Sequence, residues 1–154
     1  MRFASIGSGS RGNGTVVQAG EHLLLVDCGF ALKETVARLA RLDVAPQQLS
    51  AVLVTHEHGD HCSGVRVLAN RYQLPVYMTA GTARSKALAC VEHAVIIDSH
   101  SPFMVGELCI QPVAVPHDAA EPVQFVFYWQ GRCLGLLTDV GTITVSTAIS
   151  GDYN

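Results

Sequence analysis

Four side chains able to bind a cation crowd into one short run, Thr55-His56-Glu57-His58-Gly59-Asp60-His61, where His56, His58, Asp60 and His61 fall within six residues. Neutral imidazole and carboxylate suit zinc, iron or manganese. His56 and His58 are two apart, so in an extended or irregular segment a turn can converge both rings on one cation, and Gly59 lets the chain fold tightly there. The competing reading is a solvated polar loop. The density of donors argues against it, as does the apolar run Ala51-Val52-Leu53-Val54 that leads in. His22, His93 and His100 stand alone and are given no role.

Positioning such a cluster needs strands whose ends carry it. Arg2 to Ile6, Thr15 to Gln18 and His22 to Asp27 read as strands, the last with the continuous run Leu23-Leu24-Leu25-Val26 of a strand buried on both faces. Ala31 to Leu42 has helical spacing through Leu32, Val36, Leu39 and Ala40. Ala51 to Val54 is a strand entering the cluster, Ser63 to Tyr72 a second helix, and Leu74 to Met78 a strand, a βαβ-like passage. Cys109 to Val115, Val123 to Trp129 and Cys133 to Leu137 read as three more strands, and Thr144 to Ile149 as a short helix. The expectation is a single α/β domain over residues 1–154.

A chain of 154 residues can bury roughly 70% of its unfolded surface. With 49% hydrophobic and 15% charged residues it is not a disordered sequence. The net charge of −3 gives no support for nucleic-acid binding, although arginines such as Arg2, Arg11, Arg38, Arg66 and Arg132 could gather locally. Five widely spaced cysteines with no CxxC pair indicate neither a disulfide framework nor a thiolate zinc site; most sit among apolar neighbours and read as small buried hydrophobes. No apolar stretch is long enough for a membrane helix and Met1-Arg2-Phe3 does not open a signal peptide, so no membrane partner and a cytoplasmic location are expected.

The run Gly7-Ser8-Gly9-Ser10-Arg11-Gly12-Asn13-Gly14 lacks the Lys and Ser/Thr ending of a Walker A loop, which excludes nucleoside-triphosphate hydrolysis on that motif. It serves either as a structural turn or as a backbone nest in which Ser8, Ser10, Arg11 or Asn13 holds a substrate phosphate.

Thr55 to His61, with its preceding strand, resembles the HxHxDH motif of the metallo-β-lactamase superfamily. The glycine-rich opening, Leu25-Val26-Asp27-Cys28-Gly29 and Val115-Pro116-His117-Asp118-Ala119-Ala120 with Pro122 resemble more narrowly its YycJ/WalJ-like subgroup. The resemblance implies an αββα sandwich, represented by its N-terminal portion, and a centre of one or two divalent ions, zinc first, manganese or iron otherwise. It implies that His56 and His58 bind the first ion and Asp60 and His61 the second, with His117 as the third histidine and Asp139 as the aspartate bridging both. Read alone, His117 and Asp139 would be capped turns. Asp27 is expected to orient a metal-bound histidine through its second ring nitrogen.

The implied chemistry is hydrolysis by metal-bound hydroxide, with Asp60 as proton acceptor and a phosphodiester, including nucleic acid, as the substrate class. A thioester, lactone or other carbonyl ester, and a metal-binding module without catalysis, are the competing readings. Family members usually supply one more histidine far beyond the bridging aspartate, yet none follows His117. The chain is therefore expected to be C-terminally incomplete, its exposed sheet covered by the missing segment or by a second copy.

Overall fold

The computed structural model describes residues 1–139. The expected helix over Thr144 to Ile149 lies outside them. Two sheets face each other. The first is six-stranded, in the order β1 (Arg2–Gly7), β2 (Gly14–Ala19), β3 (His22–Val26), β4 (Ala51–Leu53), β5 (Val76–Thr79) and β6 (Ala94–Ile97), antiparallel through β3 and parallel from β3 to β6. The second is antiparallel and four-stranded, in the order β10 (Arg132–Leu136), β9 (Val123–Trp129), β8 (Leu108–Ala114) and β7 (Phe103–Val105).

The two faces of the central strands fill two cores, as continuous apolar runs require. Leu25, Val52, Val76 and Met78 pack outward against α1 (Leu32–Ala40) and α3 (Val65–Tyr72), which contribute Leu39, Val65, Leu68 and Ala69. Leu24, Val26 and Leu53 point the other way, onto Ile110, Phe125 and Phe127 of the second sheet. The single-turn helices α2 (Gly59–Cys62) and α4 (Ala80–Ala83) also lie on the first core, through Cys62 and Ala83. Among the described residues this makes three layers, helix, sheet and sheet, with no helix feeding the second core.

The predicted strands and long helices are present with small shifts at their ends. The two edge strands β6 and β7 and the one-turn helices were not expected. The cysteine reading needs correction: Cys28 and Cys62 are buried, but Cys90 and Cys133 are exposed, Cys133 because it lies on the edge strand β10. No helix among the described residues is long and apolar enough to cross a membrane.

The topology matters most at one place. Parallel pairing of Val26 with Leu53 ends β3 and β4 side by side, so Asp27 emerges next to Thr55 and the histidine run. The β8 to β9 connection delivers His117 from the opposite sheet, anchored where Val123 N–H donates to the Thr55 carbonyl.

Candidate metal centre

Asp27 stands at the base of the site, 1% exposed, with a left-handed backbone φ of 61° that an aspartate adopts more readily than most residues. Its Oδ1 accepts from the Thr55 backbone N–H (2.8 Å), and its Oδ2 accepts from the Thr55 hydroxyl (2.7 Å) and from His61 Nδ1 (2.8 Å). A carboxylate only accepts, so His61 carries a proton on Nδ1, and the neutral ring presents Nε2 to the site, where Asp139 Oδ2 stands 3.0 Å away as an acceptor for a second proton in the metal-free cluster. The Thr55 hydroxyl spends its proton on Asp27 and therefore accepts from His56 Nδ1 at 2.9 Å. His56 thus also presents a bare Nε2. One buried carboxylate fixes the tautomers of two histidines, one directly and one through a threonine.

His58 is fixed the other way round. Its Nε2 donates to the Asp118 carbonyl (2.7 Å), leaving the Nδ1 lone pair 3.3 Å from His117 Nε2. Ring centroids of His58, His61 and His117 lie 4.6, 4.2 and 4.6 Å from that of His56. The buried His56 Nε2 has no hydrogen-bond partner. Burial, then the neighbouring His61, His117 and His58, lower the His56 pKa to about 3, so the ring is neutral, as a metal ligand must be. Burial also works against protonation of His61, but its bond to Asp27 and the charges of Asp27, Asp60 and Asp139 outweigh that and raise its pKa.

Two sets of donors converge within 4.8 Å, His56 with His58 and His117, and His56 with His61 and Asp139. Asp139 Oδ2 is 3.0 Å from His61 Nε2, and Asp60 Oδ2 is 3.6 Å from the same nitrogen. These residues fit divalent ions: the donors are imidazole and carboxylate, the tautomers are set, and an otherwise costly orphaned nitrogen sits at the shared corner. The first set brings together three of the four residues expected for the first ion, while Asp139, expected to bridge both, falls in the second set only. In the second, His56 takes part geometrically while Asp60 stands slightly back, its carboxylate held by Asn13 (Nδ2 to Oδ2, 3.1 Å).

The model of the metallo-β-lactamase superfamily matches residues 7–88. The chain belongs to the metallo-β-lactamase superfamily. Within it, the chain is 37% identical over 153 residues to the exodeoxyribonuclease YycJ of Bacillus anthracis and 33% identical over 150 residues to the exodeoxyribonuclease WalJ of Streptococcus pneumoniae. Each match covers 94% of this chain and 56% of the relative, so the chain spans just over half the length of these curated relatives. The metallo-β-lactamase fold protein YhfI of Bacillus subtilis superposes with a TM-score of 0.70 at 23% identity, over 86% of this chain and 60% of that one. Superfamily membership and the histidine-rich site together point to a divalent metal.

Of the residues expected to touch substrate, Ser8, Ser10 and Arg11 are exposed, and Ser8 lines a cleft of about 240 Å³ shared with Phe3, Thr15, Leu136, Leu137 and Asp139. Asn13 is half-buried and lines the same cleft, its amide reaching in to Asp60. Two contributors were not singled out from the sequence: Thr55, whose hydroxyl sets the His56 tautomer, and Glu57. Glu57 Oε1 accepts from the Ala120 N–H (2.7 Å), clasping the loop that carries His117 to the loop that carries His56 and His58. Glu57→Leu is expected to weaken ion binding by the His56–His58–His117 set about 10- to 100-fold, and Glu57→Gln, which keeps an acceptor, to restore it, as read by Zn²⁺ titration. Equal affinities in all three proteins would remove Glu57 from this role.

Proposed function

We propose that this metallo-β-lactamase-superfamily chain carries the metal-ligating part of a phosphodiesterase centre, nuclease-like, with nucleic acid as its substrate class. The observation that carries the metal reading is the convergence of lone pairs on His56 Nε2, buried and unpartnered, from two directions. Likeness to two exodeoxyribonucleases supports the phosphodiester class. The imidazole-rich donor set favours zinc, with manganese or iron as alternatives. When bound, such ions acidify water and stabilise the negative charge that develops on a phosphoryl group.

The chain's own residues divide the remaining work. His56, His58 and His117 would hold one ion, and His61, Asp139 and Asp60 a second, the single Nε2 lone pair of His56 serving one ion at a time. Asp60, 28% exposed beside buried His61, is placed to take the proton released by an attacking water at its carboxylate. The cleft beside Asp139 that Ser8 lines would give a phosphodiester an approach to the Asp139 side of the centre. Five unpaired cysteines suit a reducing compartment, so a cytoplasmic site of action goes with the reading.

The metal-loaded chain is expected to cleave bis-p-nitrophenyl phosphate or single-stranded DNA, with at least a ~10³-fold loss in His58→Ala. Loaded protein that hydrolyses a thioester or lactone but neither phosphodiester would replace the phosphodiester reading with the carbonyl one. Loaded protein active on none of them would point to a metal-binding module.

A further inference from the structure

Asn13 reaches from the glycine-rich turn into the Asp60–His61 side of the cluster. Its Nδ2 lies 3.1 Å from Asp60 Oδ2, 3.0 Å from His61 Nε2, 3.3 Å from the Asp60 carbonyl and 3.1 Å from the Gly9 carbonyl. Two amide protons therefore face three oxygen acceptors, with His61 Nε2 a fourth only when that nitrogen carries no proton for Asp139. Oδ1 accepts from the Gly9 N–H at 2.9 Å, and this settles which way the amide points. Exchanging oxygen and nitrogen would set donor against donor at Gly9 and oxygen against oxygen at Asp60.

The backbone is pinned as well. Asn13 N–H donates to the Asp60 carbonyl (2.7 Å), and the Asn13 carbonyl accepts from Gly29 N–H (3.0 Å). A Cβ on Gly29 would collide with that same Asp60 carbonyl, so the three loops meet at backbone contact. A residue held at so many points has no free donor to offer a substrate phosphate.

We propose that Asn13 is a positioning residue for the second half of the metal centre: its amide orients the Asp60 carboxylate and engages the His61 Nε2 lone pair until a divalent ion takes it. The proposal rests on reading the cluster as an ion site. Asp60 is part-exposed and would otherwise be free to turn toward water. When the ion claims His61 Nε2, three oxygen acceptors remain for two amide protons, so the ion's arrival strands no buried donor. The glycine-rich loop thereby acts on the metal side of the site through Asn13, which lines the cleft together with Ser8.

The test is a calorimetric Zn²⁺ titration of wild type, Asn13→Ala and Asn13→Asp, with thermal melts of the metal-free and zinc-loaded forms. Asn13→Ala is expected to weaken one class of zinc site at least tenfold and to leave the other within twofold, the unchanged class reporting an intact fold. Asn13→Asp keeps the shape and the acceptor for Gly9 but places an anionic oxygen against Asp60. Its metal-free melting temperature is expected to fall, and zinc to raise it by more than in wild type. Unchanged zinc affinities in Asn13→Ala overturn the proposal and return Asn13 to substrate contact or turn structure. An equal loss in both classes, or a zinc-induced shift in Asn13→Asp no larger than in wild type, also overturns it. A wild-type chain that takes up no divalent ion fails the metal reading itself and the proposal with it.

Discussion

Asp27→Asn, a change of one atom in a buried side chain, is expected to cost at least ~100-fold in divalent-ion affinity while leaving the fold in place. Asparagine accepts the backbone φ of 61° and can keep its oxygen on the Thr55 N–H. Its amide nitrogen then occupies the position of Oδ2, where it donates to the Thr55 hydroxyl and to His61 Nδ1 in place of accepting from them. His61 must move its proton to Nε2. The Thr55 hydroxyl, no longer spending its proton on residue 27, turns it toward His56 Nδ1, and His56 also moves its proton to Nε2. Two nitrogens that faced the ion as lone pairs now face it as N–H groups.

Long-range ¹H–¹⁵N NMR of the metal-free protein would show both tautomers exchanged, and the raised pKa of His61 would fall with loss of the Asp27 charge. Asp27→Ala is expected to behave differently. It strands three buried donors and should cost about 3–5 kcal/mol in a denaturant melt. Zinc affinity in Asp27→Asn within threefold of wild type would show that the tautomers are set by something else.

That relay marks the boundary of what the sequence could reveal. The donors in the His56–His61 run were legible because they are local: spacing alone gathers them, and the apolar strand before them excludes a solvated loop. The long strands and helices were legible because each has a full period to display. The one-turn helices Gly59–Cys62 and Ala80–Ala83 have none, and the exposed edge strand Ala94–Ile97 lacks the alternation that marks a half-buried strand. His117 and Asp139 needed the family resemblance, since nothing in their surroundings says that the second sheet brings them back to His56.

Thr55 was hidden for a different reason. Its role depends on which strands are neighbours, and periodicity identifies strands without ordering them; only the parallel pairing of Val26 with Leu53 places its hydroxyl on Asp27. Asn13 was legible only through its company. Four glycines left a structural turn and a phosphate nest as open readings, and the bond to Asp60 depends on a packing of Gly29 against Asp60 that the sequence does not display. Glu57 reads as a spacer between ligands until the opposite sheet delivers the Ala120 N–H to it.

His56→Ala should have the largest effect of any single ligand change, because His56 belongs to both donor sets while His58, His117, His61 and Asp139 each belong to one. Its one free lone pair, at Nε2, completes a single set at a time, so the expected outcome is loss of stoichiometric zinc from the His56–His58–His117 set and at least a ~10³-fold loss of hydrolysis. The same substitution is expected to make the metal-free protein less sensitive to acid. In the wild type the folded pKa of His56, about 3, lies below the ordinary 6.5, so the unfolded chain binds its proton first. Stability from this group is present above pH 6.5 and is lost progressively as pH falls toward 3. His61 runs oppositely: its raised pKa contributes stability that is complete below 6.5 and is lost as pH rises through the folded value. Removing His56 deletes the acid-side loss and leaves the His61 contribution, so the difference in unfolding free energy between variant and wild type should drift in the variant's favour from pH 6.5 downward. Denaturant melts of both metal-free proteins across that range would read the drift directly. A flat difference would mean that His56 is protonated in the folded cluster. A variant that keeps zinc at the His58–His117 side with unchanged affinity would remove His56 from the ligands.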